Sequence, residues 1–384
     1  MTNRFENRYP VEVIFADEYC GKTIKDYIDL EQAWTNACRV SNKFTVKLNE
    51  DIKTSVMDGF FLTEPVRSGK DVTIDLCGHT IDNSAAPILT AFTISGNDVA
   101  FTIKNGTIIG GKHAVCVSGR SNVAVTLENL VVSDAARSAI LFKGARSRNM
   151  VLTMNRCTVS NTRNGSAVRI QPADTTLIID ACRFERNRGA SGGAVCSHSQ
   201  KTVIVTDSVF SENSATKGFG GAIDTNDVHL SGCTFIRNSA DKWDFGSAKG
   251  AGGAVCADNI KCENSVFSDN LASDRAGAIL VRENSCNIIR IVGSTFIHNH
   301  APNAGGAICV FDLAFDGNNH EISNCVFNNN QALSGCSLFV ERSRNTRTHL
   351  LGDWNNSGVK SRKTIDGSND EAWGLYCYIK YNCA

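Results

Sequence analysis

Proline is scarce in this chain, 5 residues in 384, and tryptophan and methionine stand at only 4 each. So little proline leaves no stiff polyproline spacer between separate domains. No run of eighteen apolar residues occurs, so no helical membrane span is expected. Charge of one sign is lacking too: 39 basic residues face 39 acidic ones, for a formal net charge of zero. Nothing in that balance draws the chain to nucleic acid or to an anionic membrane. The opening residues, Met1 to Asn7, have no apolar core of the kind a secretory signal needs, and synthesis in the cytoplasm without a leader is the expectation. Amphipathic helical periodicity is missing almost everywhere. A Walker loop, a His-Glu-x-x-His zinc pair and a Cys-x-x-Cys pair are all absent, so no metal and no cofactor is expected.

What the chain has in quantity is a repeat. Phe-x-x-Asn is written at Phe184/Asn187, Phe210/Asn213, Phe235/Asn238, Phe267/Asn270, Phe296/Asn299 and Phe327/Asn330. Small-residue turns answer it at Gly193-Ala194-Val195, Gly221-Ala222-Ile223, Gly253-Ala254-Val255, Gly277-Ala278-Ile279 and Gly306-Ala307-Ile308. Earlier in the chain Ile81, Ile108, Val132 and Val159 fill the Phe place, and His113-Ala114-Val115, Ser138-Ala139-Ile140 and Gly165-Ser166-Ala167-Val168 are degraded turns. A period of 25 to 32 residues between Phe positions announces a solenoid.

Ahead of each Phe place lies a short run rich in β-branched residues, such as Val72-Thr73-Ile74, Phe101-Thr102-Ile103 and Val203-Ile204-Val205. Short strands, turns and no room for crossover helices leave a parallel β-helix. The expected fold is all-β: a single-stranded parallel β-helix of about eleven coils over residues 45–345, a rod roughly 50 Å long at the usual strand spacing. Residues 1–44 form an N-terminal segment with a capping helix over Asp29 to Val40, whose Leu30, Trp34, Ala37 and Cys38 share a face. Residues 346–384, aromatic and irregular with Trp354, Trp373, Tyr376, Tyr378 and Tyr381, are read as a C-terminal cap. Stacking turns equivalent residues into ladders: an amide ladder of the repeat Asn residues, and small-residue ladders through Cys157, Cys182, Ser208, Cys233, Ser265, Ser294 and Cys325 and through Cys116, Cys196, Cys256 and Cys309. The 16 cysteines are therefore expected to be mostly buried reduced thiols.

The paired Gly-Gly-Ala-Val/Ile and Phe-x-x-Asn units resemble the repeats of the polymorphic outer-membrane proteins, an autotransporter-type family of surface adhesins. The earlier coils, Ile74 to Ile81 and Phe101 to Ile108, resemble the wider pectate-lyase-like superfamily of right-handed β-helices. The right hand is implied by this resemblance. Virus and phage attachment spikes resemble β-helices too. Polysaccharide-degrading members of polygalacturonase type resemble one another in an Asp-Asp pair, a Gly-His-Gly and an Arg-x-Lys, which this chain lacks.

Alternation along the strand after each Ala-Val/Ile pair sends one column of side chains outward: Lys143, Gln171, His198, Asn226, Asp258 and Arg282. Arg169 and Asp224 stand two positions earlier. Water alone explains polar residues on an outward face. Such a stripe also suits an extended glycan or another cell-surface ligand, with Arg169, His198, Asp224, Asn226, Asp258, Arg282 and Trp243 as ligand-binding candidates. Trp243 lies in the longest insertion, Ser239 to Gly250, which could wall a groove. His198 beside Asp224, with Arg169 to neutralise a substrate carboxylate, is the candidate catalytic set. Three functions stay open: a non-catalytic rod for attachment or glycan recognition on a cell surface or virion, a lyase or glycoside hydrolase acting on an acidic polysaccharide, and a structural part of a larger assembly. Homo-oligomers fit each.

Overall fold

Runs of three to six β-branched and aromatic residues are too short to bury themselves singly and are buried by stacking. The computed structural model describes residues 10–17, 21–27, 30–54, 66–144, 146–241, 250–282, 288–310 and 321–340. Within them the chain winds into a parallel β-solenoid of about ten turns. Strands at equivalent places in successive coils pair in parallel register, forming a 22-stranded sheet, a 10-stranded sheet and a 4-stranded sheet. Among the described residues, no helix is long and apolar enough to cross a membrane.

The 22-stranded sheet carries two parallel ladders. One runs through Val72, Phe101, Val125, Leu152, Leu177, Val203, Val228, Ile260 and Ile289. The other runs Ile52–Ile81–Ile108–Val132–Val159–Phe184 and on through the repeat Phe residues to Phe327. The aliphatic and Phe versions of the repeat are thus one column. Between the ladders the chain turns a corner with a left-handed residue in every coil, at Asn105, Asn129, Arg156, Ala181, Asp207, Gly232, Asn264, Gly293 and Asn324. A second left-handed corner follows at Asp134, Asn161, Arg186, Glu212, Arg237, Asp269, His298 and Asn329. Asn and Asp tolerate this backbone best, yet Arg, Glu and His hold it here.

The six Phe rings stack face to face with centroids 4.7–5.0 Å apart and planes within 11°. Beside them runs the amide ladder, at most 4% exposed. Asn238 donates through its backbone N–H and through Nδ2 to Asn270 Oδ1, each at 3.0 Å, and through Nδ2 to the Phe210 carbonyl at 2.9 Å. Its own Oδ1 accepts from the backbone N–H and Nδ2 of Asn213, both at 3.0 Å. Every donor and acceptor of the buried amide is engaged, and the pattern repeats from Asn187 to Asn299. Thr162 begins the ladder by donating to Asn187 Oδ1. The small-residue ladder works likewise, with Cys182 N–H donating to Ser208 Oγ at 3.0 Å and Cys233 N–H to Ser265 Oγ at 3.1 Å. The ladder cysteines from Cys116 to Cys325 are free thiols, while Cys336 is disulfide-bonded.

At the N-terminal end the helix Leu30–Val40 buries Leu30, Ala33, Trp34 and Ala37. Trp34 sets its ring against Phe44, Phe92 and Phe101 at 6.1–6.3 Å, plugging the first coils. A feature outside the sequence expectations stands beside it. Val11–Asp17 pairs antiparallel with both Gly21–Tyr27 and Lys43–Leu48, so a hairpin covers the open edge of the first coil. Asp29 and the expected C-terminal cap of residues 346–384 lie outside the described residues.

Replacing Asn238 by Leu keeps the side-chain size and removes the amide. The N–H groups of Asn213 lose their acceptor, and each buried unsatisfied group costs about 1–3 kcal/mol. We expect Asn238→Leu to destabilise the rod by about 3 kcal/mol or more, read as a lower thermal midpoint by circular dichroism.

Candidate functional site

The 10-stranded sheet holds the residues that the sequence puts forward. Its strands run from Thr90–Ile94 through His113–Val117, Ile140–Phe142, Val168–Ile170, Val195–Ser197, Ile223–Thr225, Val255–Ala257, Ile279–Val281 and Ile308–Val310 to Leu338–Val340. The register sets Val115, Ile140, Val168, Val195, Ile223, Val255, Ile279 and Ile308 in one inward column. The next residues form an outward column: Cys116, Leu141, Arg169, Cys196, Asp224, Cys256, Leu280 and Cys309.

Outward here does not mean exposed. Cys196 is 3% exposed, Asp224 5% and Cys256 fully buried. The expectation that Asp224 lies open on a polar stripe is corrected by this burial. Arg282 and the Ser191 hydroxyl hydrogen-bond the buried Asp224 carboxyl, and beside the strands a line of turn residues, Phe219, Ala251, Arg275, Ala304 and Ser334, is bridged coil to coil. Ala251 and Ala276 from these turns pack with Phe219 over Cys256, Leu280 and Cys309 in a second apolar cluster outside the sheet. The second outward column, Lys143, Gln171, His198, Asn226, Asp258 and Arg282, is exposed or half-buried as alternation requires.

Three of the named residues converge. Arg282 reaches back across two coils, donating through Nη1 to Asp224 Oδ1 at 2.6 Å and through Nε to Asp258 Oδ1 at 2.7 Å. Its Nη2 donates to the Thr225 carbonyl at 2.5 Å. One guanidinium thereby pairs with both Asp224 and Asp258. Burial pushes the Asp224 carboxyl above the usual carboxylate range, opposed by the Arg282 charge and by hydrogen bonds from Arg282 and the Ser191 hydroxyl. Burial likewise pushes the Cys196 thiol up to about 11, with the Asp224 charge adding to the effect and Arg169 opposing it. Cys196 Sγ lies 3.8 Å from His198 Nε2. A buried thiol held protonated is a poor nucleophile.

Arg169 is placed apart from that ion cluster, with Cys196 between it and Asp224 in the column. Its Nε is buried and has no hydrogen-bond partner. Asn226 turns its amide onto the Ser199 carbonyl at 3.2 Å. Trp243 and Phe245 lie outside the described residues. His229 stands in the strand Asp227–Ser231, beside Lys261. Among the described residues, no group of three or more His, Cys, Asp or Glu side chains could hold a metal ion.

The sequence reading passed over one motif. Gly189-Ala190-Ser191-Gly192-Gly193 has the spacing of a nucleophile elbow. That motif acts at a strand-to-helix turn, whereas here it joins two short strands, Arg188–Gly189 and Val195–Ser197, in a solenoid corner. Gly192 is left-handed, and a Cβ there would meet the Val195 carbonyl oxygen at 2.0 Å. Close packing between coils accounts for the glycines.

A family model for a right handed beta helix region matches residues 90–255. A model for the Chlamydia polymorphic membrane protein repeat matches residues 293–310. The chain is a right-handed parallel β-solenoid. A solved catalytic domain of a GH87 alpha-1,3-glucanase, in complex with nigerose, is similar at a TM-score of 0.44 and 10% identity, covering 85% of this chain and 67% of that one. No curated protein matches.

Removing Arg282 would strand two carboxylates, one of them buried, at a cost of about 3–5 kcal/mol. Arg282→Met should therefore lower the urea midpoint sharply, and adding Asp224→Asn should restore part of the loss. The pH dependence follows from the raised carboxyl of Asp224. Its contribution to stability is fully present below the ordinary value of 3.8 and is lost as pH rises through the higher folded value. As pH rises above about 4 the wild type should lose stability relative to Asp224→Asn, measured as the difference between their urea midpoints.

Proposed function

We propose that the protein is a non-catalytic rod that recognises an extended glycan along the outward face of its ten-stranded sheet, as a component of a cell surface or virion. The observation that carries this reading is the Asp224–Arg282–Asp258 cluster. General acid–base cleavage of a sugar chain needs carboxyl groups free to exchange protons beside the substrate. Here one guanidinium engages both carboxylates of the face, and Asp224 is sealed beneath it. What stays accessible are hydrogen-bonding side chains, Gln171 and His198 exposed and Asn226 half-buried. They recur once per coil, at about 4.8 Å. A periodic polymer with donors and acceptors on every unit fits such a face, and the preformed rod loses little conformational freedom on binding it.

A second reading, a carbohydrate-active enzyme, draws on the same residues. Asp224 has a raised pKa and hydrogen-bonds Ser191, and the charge of His198 acts on it. Shifted carboxyls mark many active sites.

A glycan array with parallel analysis of products separates the two. Binding that falls about ten-fold in the double variant Gln171→Ala/His198→Ala, with no new reducing or unsaturated ends, is the expected outcome. Products that form with the wild type and disappear with Asp224→Asn would make the protein an enzyme and overturn the proposal.

A further inference from the structure

Many cations elsewhere on the rod are matched to carboxylates, although among the described residues Arg120, Arg148, Arg163, Arg188 and Lys261 have no ion pair. On the 22-stranded side Lys43 meets Asp71, Lys104 meets Asp75, Arg156 meets Glu128, Arg183 meets Glu185, Arg237 meets Glu212 and Arg290 meets Glu321. The N-terminal half of the ten-stranded face is different. Lys112, Arg137, Lys143 and Arg169 occupy three successive rungs, and among the described residues none of the four has an ion pair. Arg137 stacks directly on Lys112, its N–H donating to the Lys112 carbonyl at 3.2 Å. Lys143 sits one rung before Gln171 in the column that flanks Arg169, with its own N–H on the Val117 carbonyl.

These charges reinforce one another across the patch. His113, buried and bonded through Nδ1 to the Ser138 carbonyl at 2.5 Å, is held below the usual histidine range by burial first and then by Lys112, Lys143 and Arg137. Lys112 and Lys143 also act on the neighbouring Cys116, where they oppose the upward push of burial on its thiol. Within a chain of zero net charge, this is a segregated positive field. Arg169 anchors its end, with a buried Nε that has no partner.

Resting on the glycan-recognition reading above, we propose that Lys112, Arg137, Lys143 and Arg169 form an anion-binding subsite for a sulfated polysaccharide. Four cations on three rungs exceed one positive charge per coil. A chain with one carboxylate per sugar leaves some of them unmatched, whereas one sulfated at several positions supplies enough anions. A guanidinium can present two parallel N–H groups to two oxygens of one sulfate, and lysine ammonium groups add point charges around it. Single-stranded nucleic acid is the weaker candidate, because its binding sites place aromatic rings beside the cations for base stacking, and none of Lys112, Arg137, Lys143 or Arg169 has an aromatic neighbour in its column.

The test uses the full chain over immobilised dextran sulfate, polygalacturonate, an uncharged glycan library and single-stranded DNA, with dissociation constants measured at two salt concentrations. The proposal expects dextran sulfate to bind more tightly than polygalacturonate or DNA and to weaken with salt. It expects Arg169→Gln and Lys143→Gln each to weaken that binding about ten-fold without moving the thermal midpoint. Arg156→Gln, at a paired cation on the other sheet, should leave it unchanged. Tighter binding to polygalacturonate or to DNA, or an equal loss in Arg156→Gln, overturns the subsite. Salt-insensitive binding to uncharged glycans alone also overturns it while the glycan-recognition reading stands. Binding to no glycan at all defeats both.

Discussion

The interaction on which this molecule depends is self-contact. A parallel coil repeats at about 4.8 Å, so every residue touches its own equivalents above and below. Only side chains that pack well against copies of themselves can fill a column. Phenylalanine does so by stacking, with centroids no more than 5.0 Å apart. Asparagine does so because its amide both donates and accepts. Charges do not, and the outward column of the ten-stranded sheet shows how they are accommodated: Arg169, Cys196, Asp224 and Cys256 succeed one another, so a thiol separates each charge from the next.

Self-contact also explains what could be read from sequence. Columns must be filled by similar residues, so the Phe, Asn and Gly-Ala places announce themselves, and Ile81, Ile108, Val132 and Val159 fall into the Phe column as expected. The outward direction of Arg169, His198, Asp224, Asp258 and Arg282 was equally legible, since it follows from alternation. Three things were not. The burial of the outward column, as at Cys256, Leu280 and Cys309, involves turns such as Phe219 and Ala251 folding over the strands, and no local pattern encodes that. The bond from Arg282 to Asp224 skips a whole coil, whereas periodicity signals only nearest neighbours. Left-handed corners at Arg156, Arg186 and His298 carry residues without turn preference, because hydrogen bonds to adjacent coils hold a backbone that the local sequence does not favour.

The ten-stranded face is asymmetric along the axis. Among the described residues its N-terminal half carries Lys112, Arg137, Lys143 and Arg169 without ion pairs, and further along Arg282 pairs with two acids at once. Strands, spacing and inward packing continue unchanged through both halves. Chemical character therefore varies along a scaffold of constant geometry, since outward side chains can change without disturbing the core. A glycan bound along this face, as proposed, would meet a graded surface whose gradient gives it a preferred direction.

The amide ladder has a direction as well. From Asn187 to Asn299 the backbone N–H and one Nδ2–H point toward the C-terminal coil, each Oδ1 faces the coil before it, and the second Nδ2–H is tied back to a backbone carbonyl of that preceding coil. The side-chain dipoles are consequently collinear and polarise one another in the same sense along the buried axis. At the N-terminal end the exposed need is for a donor, which Thr162 supplies with both its N–H and its hydroxyl. At the other end the need reverses. Whatever succeeds Asn330 in that column must present an oxygen, so the ladder is a one-way template in which the two ends demand opposite chemistry.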